Sequence, residues 1–393
     1  MFKSIVIVTL LLTGVIAQTQ DMNLTVQKYI DEIETNGVKN GGWIITQKKR
    51  SPIGESFIAT LTPSKTDGNQ TYEGYPELVG LSFVNDINYT TTSLSSVSTL
   101  TEFPTKDLDE NETLVVKSIL DKKLIVLRGD YSLENYLYSL KLDDINSSID
   151  DVNITTKDIK LSGYYDNNST QKEINGLSID TLEILPTDKE FLGDYFRVKN
   201  MFMEFSTQTQ DDTITVSYKT SVELLDSNLS GEHSKAVDAN LDIQIINMDE
   251  KSYRTFEKLG GENPQEITSK ELETLGSNLL TSKDLAIEIN DLSIASLISQ
   301  GKDMGSAKID AKISLDIDPK NKKLITLNPL MALSYLKVDA SIELSKEIVA
   351  LLTKDPRAMM LAFLPPKEKD ENMVYEILFN NNKLTINGQN FLQ

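Results

Sequence analysis

Asparagines in Asn-x-Ser/Thr triplets are the residues of this sequence whose type and spacing indicate a chemical reaction. The side-chain amide of such an asparagine accepts N-linked glycans in exported proteins. The 393 residues contain nine of these triplets, and in all but the one at Asn167 an aspartate lies two residues before the asparagine. We therefore predict eight glycosylation sites: Asn23, Asn69, Asn88, Asn111, Asn146, Asn153, Asn168 and Asn228.

The aspartate before each acceptor resembles the extended motif of the bacterial oligosaccharyltransferase, which modifies flexible segments in the periplasm. The alternative is that Asp and Asn occur together because both favour turns, but this does not explain the constant spacing to Ser/Thr. The resemblance implies a periplasmic glycoprotein with that transferase as a partner. Asn69, Asn111 and Asn168 have the most turn-like surroundings, and acceptors in strands are expected to be poor ones. No triplet follows residue 231, which suggests a domain boundary near Gly231.

Candidates for catalysis are few. The single histidine, His233, occurs in a polar segment, and we predict a solvent-facing loop residue rather than a catalytic base. The motifs of serine hydrolases, phosphate-binding loops, dinucleotide folds and zinc proteases are absent. Asp316 and Asp318 resemble the start of a calcium loop that lacks its glycine and closing glutamate. A pair of catalytic carboxylates stays open among the 59 acidic residues. We expect a non-enzymatic protein without cofactor or metal.

Composition narrows the classes of partner. The formal net charge of −20 argues against nucleic acid and against a polybasic attachment to anionic lipid. The absence of cysteine rules out disulfides and a lipid anchor on cysteine, so the core alone must hold the fold. The length allows one large domain or two to three ordinary ones.

The first twenty residues indicate export. Lys3 precedes an apolar run from Ser4 to Ala17, which is too short for a typical membrane span. We predict that residues 1–17 are a signal peptide cleaved between Ala17 and Gln18. The alternative is a short, retained membrane anchor. In either case we expect a periplasmic location.

The elements that must position these residues are mostly strands. An apolar stripe predicts an N-terminal helix within 18–40, from Asn23 to Gly37. From Trp43 onward apolar and polar residues alternate with period two, which is typical of antiparallel strands with one wet face. The predicted strands are 56–61, 77–83, 123–128, 138–142, 159–161, 177–184, 202–205, 213–218, 240–245, 285–289, 307–318, 335–344, 373–379 and 383–386.

Helices enter in the second half of the chain. We predict helices over 249–259, 268–279 and 346–352, and a further turn from Pro356 that bears Met359, Met360 and Phe363. The expected fold is mainly β with a few helices (α+β): a long curved antiparallel meander or open half-barrel, with helices packed on the sheet in the C-terminal half. The expected regions are a glycosylated β-rich part over 41–230 and a β-rich part with helices over 231–393.

Residues 160–393 resemble the YdgA-like family of bacterial envelope proteins. The resemblance rests on the segments 241–249, 285–292, 306–316 and 382–388. It implies an N-terminal membrane helix and a β-rich periplasmic body, with no catalytic residues to transfer. A weaker resemblance, to JlpA-like surface lipoproteins, rests on size, the acidic glycosylation motifs and the β-rich pattern. It implies an open half-barrel and an adhesin role, although the lipid-bearing cysteine is absent here.

These patterns predict an N-glycosylated envelope protein of the periplasm that holds a lipid or a protein partner on an apolar sheet face; anchoring to the inner membrane is the alternative to a free periplasmic protein. A surface-exposed adhesin and a carboxylate-based hydrolase are the alternatives. The sequence leaves the ligand and the oligomeric state open.

Overall fold

The computed structural model describes residues 21–40, 42–63, 78–134, 136–149, 152–166, 171–187, 193–229, 231–259, 269–317, 319–321, 324–325, 328–354 and 364–392. Within the described residues the fold is mainly β, with few helices. Twenty strands of this part of the chain pair into an antiparallel sheet that does not close. The predicted fold class, a long antiparallel meander with few helices, is therefore confirmed.

The elements are numbered here in chain order. The strands are β1 (Gly42–Ser51), β2 (Gly54–Thr62), β3 (Ser82–Tyr89), β4 (Ser93–Glu102), β5 (Val126–Ser132), β6 (Leu137–Leu142), β7 (Ile145–Ile149), β8 (Val152–Lys157), β9 (Ile159–Asp166), β10 (Lys172–Pro186), β11 (Tyr195–Gln210), β12 (Thr213–Leu229), β13 (Glu232–Asp249), β14 (Ala286–Ser299), β15 (Lys302–Leu315), β16 (Leu336–Ser345), β17 (Lys367–Lys369), β18 (Asn372–Asn380), β19 (Lys383–Ile386) and β20 (Gln389–Leu392). The helices are α1 (Met22–Asn40), α2 (Glu110–Asp121), α3 (Glu250–Leu259), α4 (Ser269–Leu280) and α5 (Lys346–Leu352).

The chain divides into two compact units. Unit 1 comprises Met1–Tyr165 and Leu177–Leu192, and unit 2 comprises Asp166–Gly176 and Gly193–Gln393. The boundary predicted near Gly231 does not coincide with this division. Gly231 follows β12 and precedes β13, which pair along their whole length inside unit 2. The lack of glycosylation motifs after this residue therefore marks no structural boundary.

Unit 1 has a buried core beneath α1. The stripe on α1 puts Met22, Val26 and Ile30 into a cluster with Phe57 and Tyr89 from β2 and β3, and the helix residues are almost completely buried. Burial of this apolar stripe stabilises α1, because most of the stability of a helix in a protein comes from packing of its apolar face. The sequence therefore predicted α1 correctly.

Helix α2, which was not predicted, begins with a capping box. The Asp109 side chain accepts a hydrogen bond from the backbone N–H of Glu112, and the Glu112 side chain accepts one from the N–H of Asp109. This reciprocal pair satisfies two backbone donors that have no partner inside the helix. Asn111, which was expected in a turn, is instead the second residue of this helix.

Unit 2 is built from long strands. Its strands pair in the order β11, β12, β13, β14, β15, β16, β18, β19, β20, with β17 on the other side of β18 from β16. Helices α3, α4 and α5 contact this sheet, as expected for the C-terminal half. Ser345 caps α5 by accepting a hydrogen bond from the N–H of Ile348, as the sequence predicted.

Most predicted elements are found, with shifts at their ends. The helices expected over 249–259, 268–279 and 346–352 are α3, α4 and α5. The strand expected over 77–83 is wrong in its first part, because residues 78–80 form a turn and β3 begins only at Ser82. The strand expected from Lys123 begins at Val126, because Lys123 has a positive φ after α2. The turn expected from Pro356 lies outside the described residues.

Candidate functional site: an apolar sheet face

The register of unit 2 aligns apolar residues into continuous rows across eight strands. Directly paired residues of antiparallel strands project to the same face, so each row lies on one side of the sheet. We call the three rows below, together, the apolar face. Row A is Thr207, Val216, Ile245, Ile287, Ile313, Val338, Phe379 and Leu384; row B is Phe205, Tyr218, Ile243, Ile289, Ala311, Ala340, Ile377 and Ile386; row C is Met203, Thr220, Leu241, Leu292, Ile309, Ile342 and Tyr375.

The alternating rows, on the opposite face, are polar. The row between A and B is Ser206, Ser217, Gln244, Glu288, Lys312, Asp339, Leu378 and Thr385. Ion pairs cross the strands there, with Lys312 Nζ 2.6 Å from Glu288 and Lys219 Nζ 3.1 Å from Asp242. One face of this sheet is thus mostly polar. On the other face, rows A to C are apolar except for two threonines.

Across β11 to β15 the apolar face is only partly shielded. Of the residues that these strands contribute to the three rows, Thr207 alone is buried. Phe205 is 39% exposed, and Ile287 and Leu292 are each 38% exposed. Within a sheet, the side chains on neighbouring strands shield each residue laterally. The exposure that remains therefore means that solvent reaches the side chain from above the face. The cluster beneath α1 in unit 1 provides the contrast, since Phe57 and Tyr89 of its strands are buried there against the helix.

Helices cover the face at its two ends. At the end where β12 begins and β13 finishes, Ile214 and Met248 are buried and α3 contacts both strands. At the other end, Leu344 and Tyr375 are buried in a cluster with Val349 of α5. The partly exposed area across β11 to β15 covers five strands at ~4.8 Å spacing and three rows ~6.8 Å apart, or about 19 Å by about 14 Å. An exposed apolar area of a few hundred Å² on a monomeric protein is often functional.

His233 lies in β13 and not in the polar loop that the sequence predicted. Its Nε2 atom is 3.1 Å from Oδ1 of Asp226, which also accepts a hydrogen bond of 3.0 Å from the Tyr195 hydroxyl. Asp226 is buried, and burial together with this hydrogen bond raises the pKa of Tyr195. Asn228 of β12 pairs with Tyr195 of β11 and with His233 of β13, and this register brings the side chains of Tyr195, Asp226 and His233 together. The described contacts of the histidine include no nucleophile, so we assign the cluster a structural role in joining the three strands.

A second polar cluster joins α1 to the first hairpin of unit 1. Arg50 donates from Nη2 to Asp31 at 2.8 Å and from Nε to Glu55 at 2.5 Å. The hydrogen bond from Arg50, with one from Lys48, lowers the pKa of Asp31, and the same carboxylates raise the pKa of Arg50. The Glu55 side chain is fully buried, and its Oε2 atom has no hydrogen-bond partner within the described part of the chain. Arg50 is therefore the main partner of a buried carboxylate.

The predicted glycosylation sites that the structure describes lie in helices or in strands. Asn23 lies in α1, where its amide donates to the carbonyl of Pro52, and the Asn228 amide donates to the carbonyl of Gly193 at 2.6 Å. Asn111 lies in α2. Three further acceptors are exposed residues of strands, and two lie outside the described residues. The strand acceptors are Asn88, Asn146 and Asn153, and the two others are Asn69 and Asn168.

Several of the preceding aspartates have structural partners of their own. Asp21 and Asp109 accept hydrogen bonds from the N–H of Leu24 and Glu112 at the starts of α1 and α2. Asp144 accepts one from the N–H of Asp158, and Asp226 belongs to the His233 cluster. Capping and turn roles of this kind supply a second physical reason for an aspartate at these positions.

The remaining expectations on sites concern the ends of the chain and metals. Ala17 and Gln18, like Met359, Met360 and Phe363, lie outside the described residues. Asp316, part of the calcium-like segment, accepts a hydrogen bond of 2.6 Å from Lys337. Within the described ranges no group of three acidic or histidine side chains is arranged to hold a metal ion. None of the helices described there has the length and hydropathy that crossing a bilayer requires.

Comparison with known proteins adds no assignment: no family model, no curated protein and no solved structure matches this chain. The geometry of the apolar face is therefore the observation from which a function can be inferred. Sequence reasoning anticipated an apolar sheet face, but it did not identify the residues. The row membership depends on pairings between residues far apart in sequence, such as Ile243 with Ile289.

Proposed function

We propose that the protein binds the acyl chains of a lipid on the apolar face of unit 2. The observation that carries this proposal is the combination of three continuous apolar rows with side chains that stay partly exposed across β11 to β15. Removing such a surface from water is favourable by roughly 25 cal/mol per Å². An occupant of the face therefore has a strong, non-directional driving force.

The chemistry of the rows favours a lipid over a protein partner. Cores of protein interfaces are enriched in aromatic residues and arginine, and their hot spots are mostly tryptophan, tyrosine and arginine. Rows A to C contain no charged residue, and β13 to β15 contribute only aliphatic side chains to them. A surface of this kind offers shape and apolarity but few polar anchors, which suits a flexible hydrocarbon chain. The partly exposed area extends about 19 Å across β11 to β15, which exceeds the ~15 Å of one bilayer leaflet's hydrocarbon layer.

The proposal includes an envelope location. Support comes from the export signal predicted for residues 1–17 and from the eight acidic glycosylation motifs, which favour the periplasm. A protein that carries lipid or holds it in place between membranes would need a water-facing side and an apolar side. The polar rows that alternate with rows A to C supply the water-facing side, and the apolar face supplies the apolar side.

Intact-mass analysis of the protein purified from its own envelope fraction tests this proposal. Under native conditions we expect an added mass that organic solvent removes and that corresponds to one or more lipids. The covalent mass remaining afterwards gives the mature N-terminus and the number of glycans. A folded native protein that carries no extractable lipid and fails to bind a fluorescent fatty acid would refute acyl-chain binding. A covalent mass equal to residues 18–393 alone would refute the glycoprotein prediction separately.

A further inference from the structure

The apolar face of unit 2 continues beyond row C toward the point where β12 ends and β13 begins. Strands β11, β12 and β13 keep one pairing register from row A to this end, so further rows can be followed. Strand β12 has no residue of positive φ, and its side chains therefore alternate between the two faces along its whole length. Row D is Met201, Val222 and Ala239, and row E is Lys199, Leu224 and Val237. On β12 and β13 the apolar surface thus extends two rows further.

Charged and polar side chains end this apolar surface. Row F, the next row on the same face, lies ~20 Å from row C, since six residues of a strand separate Thr220 from Asp226. Row F is Arg197, Asp226, Lys235, Ile298 and Asp303, and row G is Tyr195, Asn228 and His233. The face therefore changes from apolar to charged along the direction of its strands, as the surface of an amphipathic ligand does.

Positive charge predominates in rows E to G of β11, β12 and β13. These rows contain three cations, Lys199, Arg197 and Lys235, and one acid, Asp226, in a chain of net charge −20. Asp303 is two strands from Lys235, or ~10 Å at ~4.8 Å per strand. The other acidic residues near this end alternate with rows E to G along the chain and belong to the opposite face: Asp194, Glu223, Glu232 and Asp238.

Lys235 is the cation best placed to meet a ligand. It is partly buried in row F, and its ammonium group makes no hydrogen bond or ion pair with the residues that the structure describes. Asp226, directly opposite, is buried, and its Oδ1 atom lies 3.0 Å from the Tyr195 hydroxyl and 3.1 Å from Nε2 of His233. Arg197 lies over the Tyr195 ring, with Cζ 4.8 Å from the ring centroid. The junction of the three strands therefore satisfies the carboxylate and orients the guanidinium group.

We propose that Lys235 and Arg197 bind the anionic headgroup of the lipid whose acyl chains lie on the apolar face. This inference rests on the proposed function and narrows the ligand to lipids with a carboxylate or phosphate at one end. Lysine and arginine donate charge-assisted hydrogen bonds to such groups, and these are roughly twice as strong as neutral ones. The rows also set the direction of the ligand, with the headgroup at row F and the hydrocarbon over rows E, D and C.

Titration of the full chain with a fluorescent fatty acid and with its methyl ester tests this inference. The two probes share the acyl chain, but only the acid is charged at neutral pH. We expect the unsubstituted protein to bind the acid at least about tenfold more tightly, because a hydrogen bond to a charged group contributes about that factor. Most of this preference should be lost in Lys235→Gln and in Arg197→Gln, with the affinity for the ester unchanged.

Lys219→Gln is the matched control, since Lys219 lies on the polar face of β12, where it pairs with Asp242. It should bind both probes like the unsubstituted protein. Equal affinity of the unsubstituted protein for acid and ester would overturn the headgroup site but leave acyl-chain binding intact. Failure to bind either probe would refute acyl-chain binding itself.

Two further outcomes concern the residues and the ligand class. A preference for the acid that survives both Lys235→Gln and Arg197→Gln would overturn the assignment of these two side chains. Inorganic phosphate should displace the acid only weakly, because it makes no contact with rows D and E. Displacement at equal concentrations would show a site for free anions and overturn the assignment to a lipid headgroup.

Discussion

Two phenylalanines three positions apart on β11 provide a sharp test of acyl-chain binding. Phe205 and Phe202 are each 39% exposed. Phe205 belongs to row B and pairs with Tyr218, whereas Phe202 pairs with Ser221, which pairs with Asn240 in a polar row. The two side chains therefore differ in the row that they occupy but not in residue type or accessibility.

The effect of Phe205→Ser on binding follows from its exposed area. A phenylalanine offers ~200 Å² of surface, of which the exposed 39% is about 80 Å². At 25 cal/mol per Å², covering this area with hydrocarbon contributes about 2 kcal/mol, or about 30-fold in affinity. Phe202→Ser should change the affinity less than threefold, because the polar row makes no contact with the lipid.

Titration of each variant with a fluorescent fatty acid measures this difference, with urea unfolding as a check that both variants are folded to the same extent. A loss of affinity that is equal in the two variants would show that binding does not use the apolar face. An unchanged affinity in Phe205→Ser, with Phe202→Ser also unchanged, would place the binding site elsewhere. Either result would refute the assignment of rows A to C as the lipid site.

Two further substitutions test the physical account of unit 1. Arg50→Met removes the main partner of the fully buried Glu55 carboxylate, so we expect the free energy of unfolding to fall by about 3–5 kcal/mol. The double variant R50M/E55L should recover this stability. A loss below ~1 kcal/mol in urea unfolding of Arg50→Met would contradict the expectation. Gly163→Ala would place a Cβ atom 2.1 Å from the ring of Tyr138, and we expect a loss of about 1–3 kcal/mol. Tyr138→Ala should abolish that penalty in a double-mutant cycle, and a penalty that persists would show that the ring is not its cause.

The periodic pattern predicted the fold class because unit 2 alternates cleanly. In β13, the apolar residues Leu241, Ile243 and Ile245 alternate with Asp242 and Gln244, and this period of two needs no knowledge of the partner strands. Strand β4 does not show this alternation, so the sequence pattern does not predict it. Its buried side carries Ser96 and Ser98 between Leu94 and Leu100, so hydrophobicity along this strand does not follow burial.

Other differences have local causes that the sequence contained in part. The sequence contains the capping box of α2 as Asp109 and Glu112, but the same residues form a glycosylation motif, which favours a turn rather than a helix. The polar neighbours of His233 predict a loop, whereas β12 and β13 continue their pairing through this residue almost to Gly231. The apolar rows require the register of eight strands, which long-range pairing determines and local pattern does not.

The two faces of unit 2 differ in what they contribute to its stability. Ion pairs on the polar face, such as Lys312–Glu288, are partly exposed and contribute about 0–1 kcal/mol each. No disulfide can add to this, since the chain has no cysteine. The unit therefore depends on its strand ladder and on burial of rows A to C, which is incomplete across β11 to β15 in the protein alone. A ligand that binds only the folded sheet adds about 2.7 kcal/mol at a hundred times its Kd. On the proposed function, lipid occupancy and the stability of unit 2 are consequently linked, because both arise from covering the same three rows.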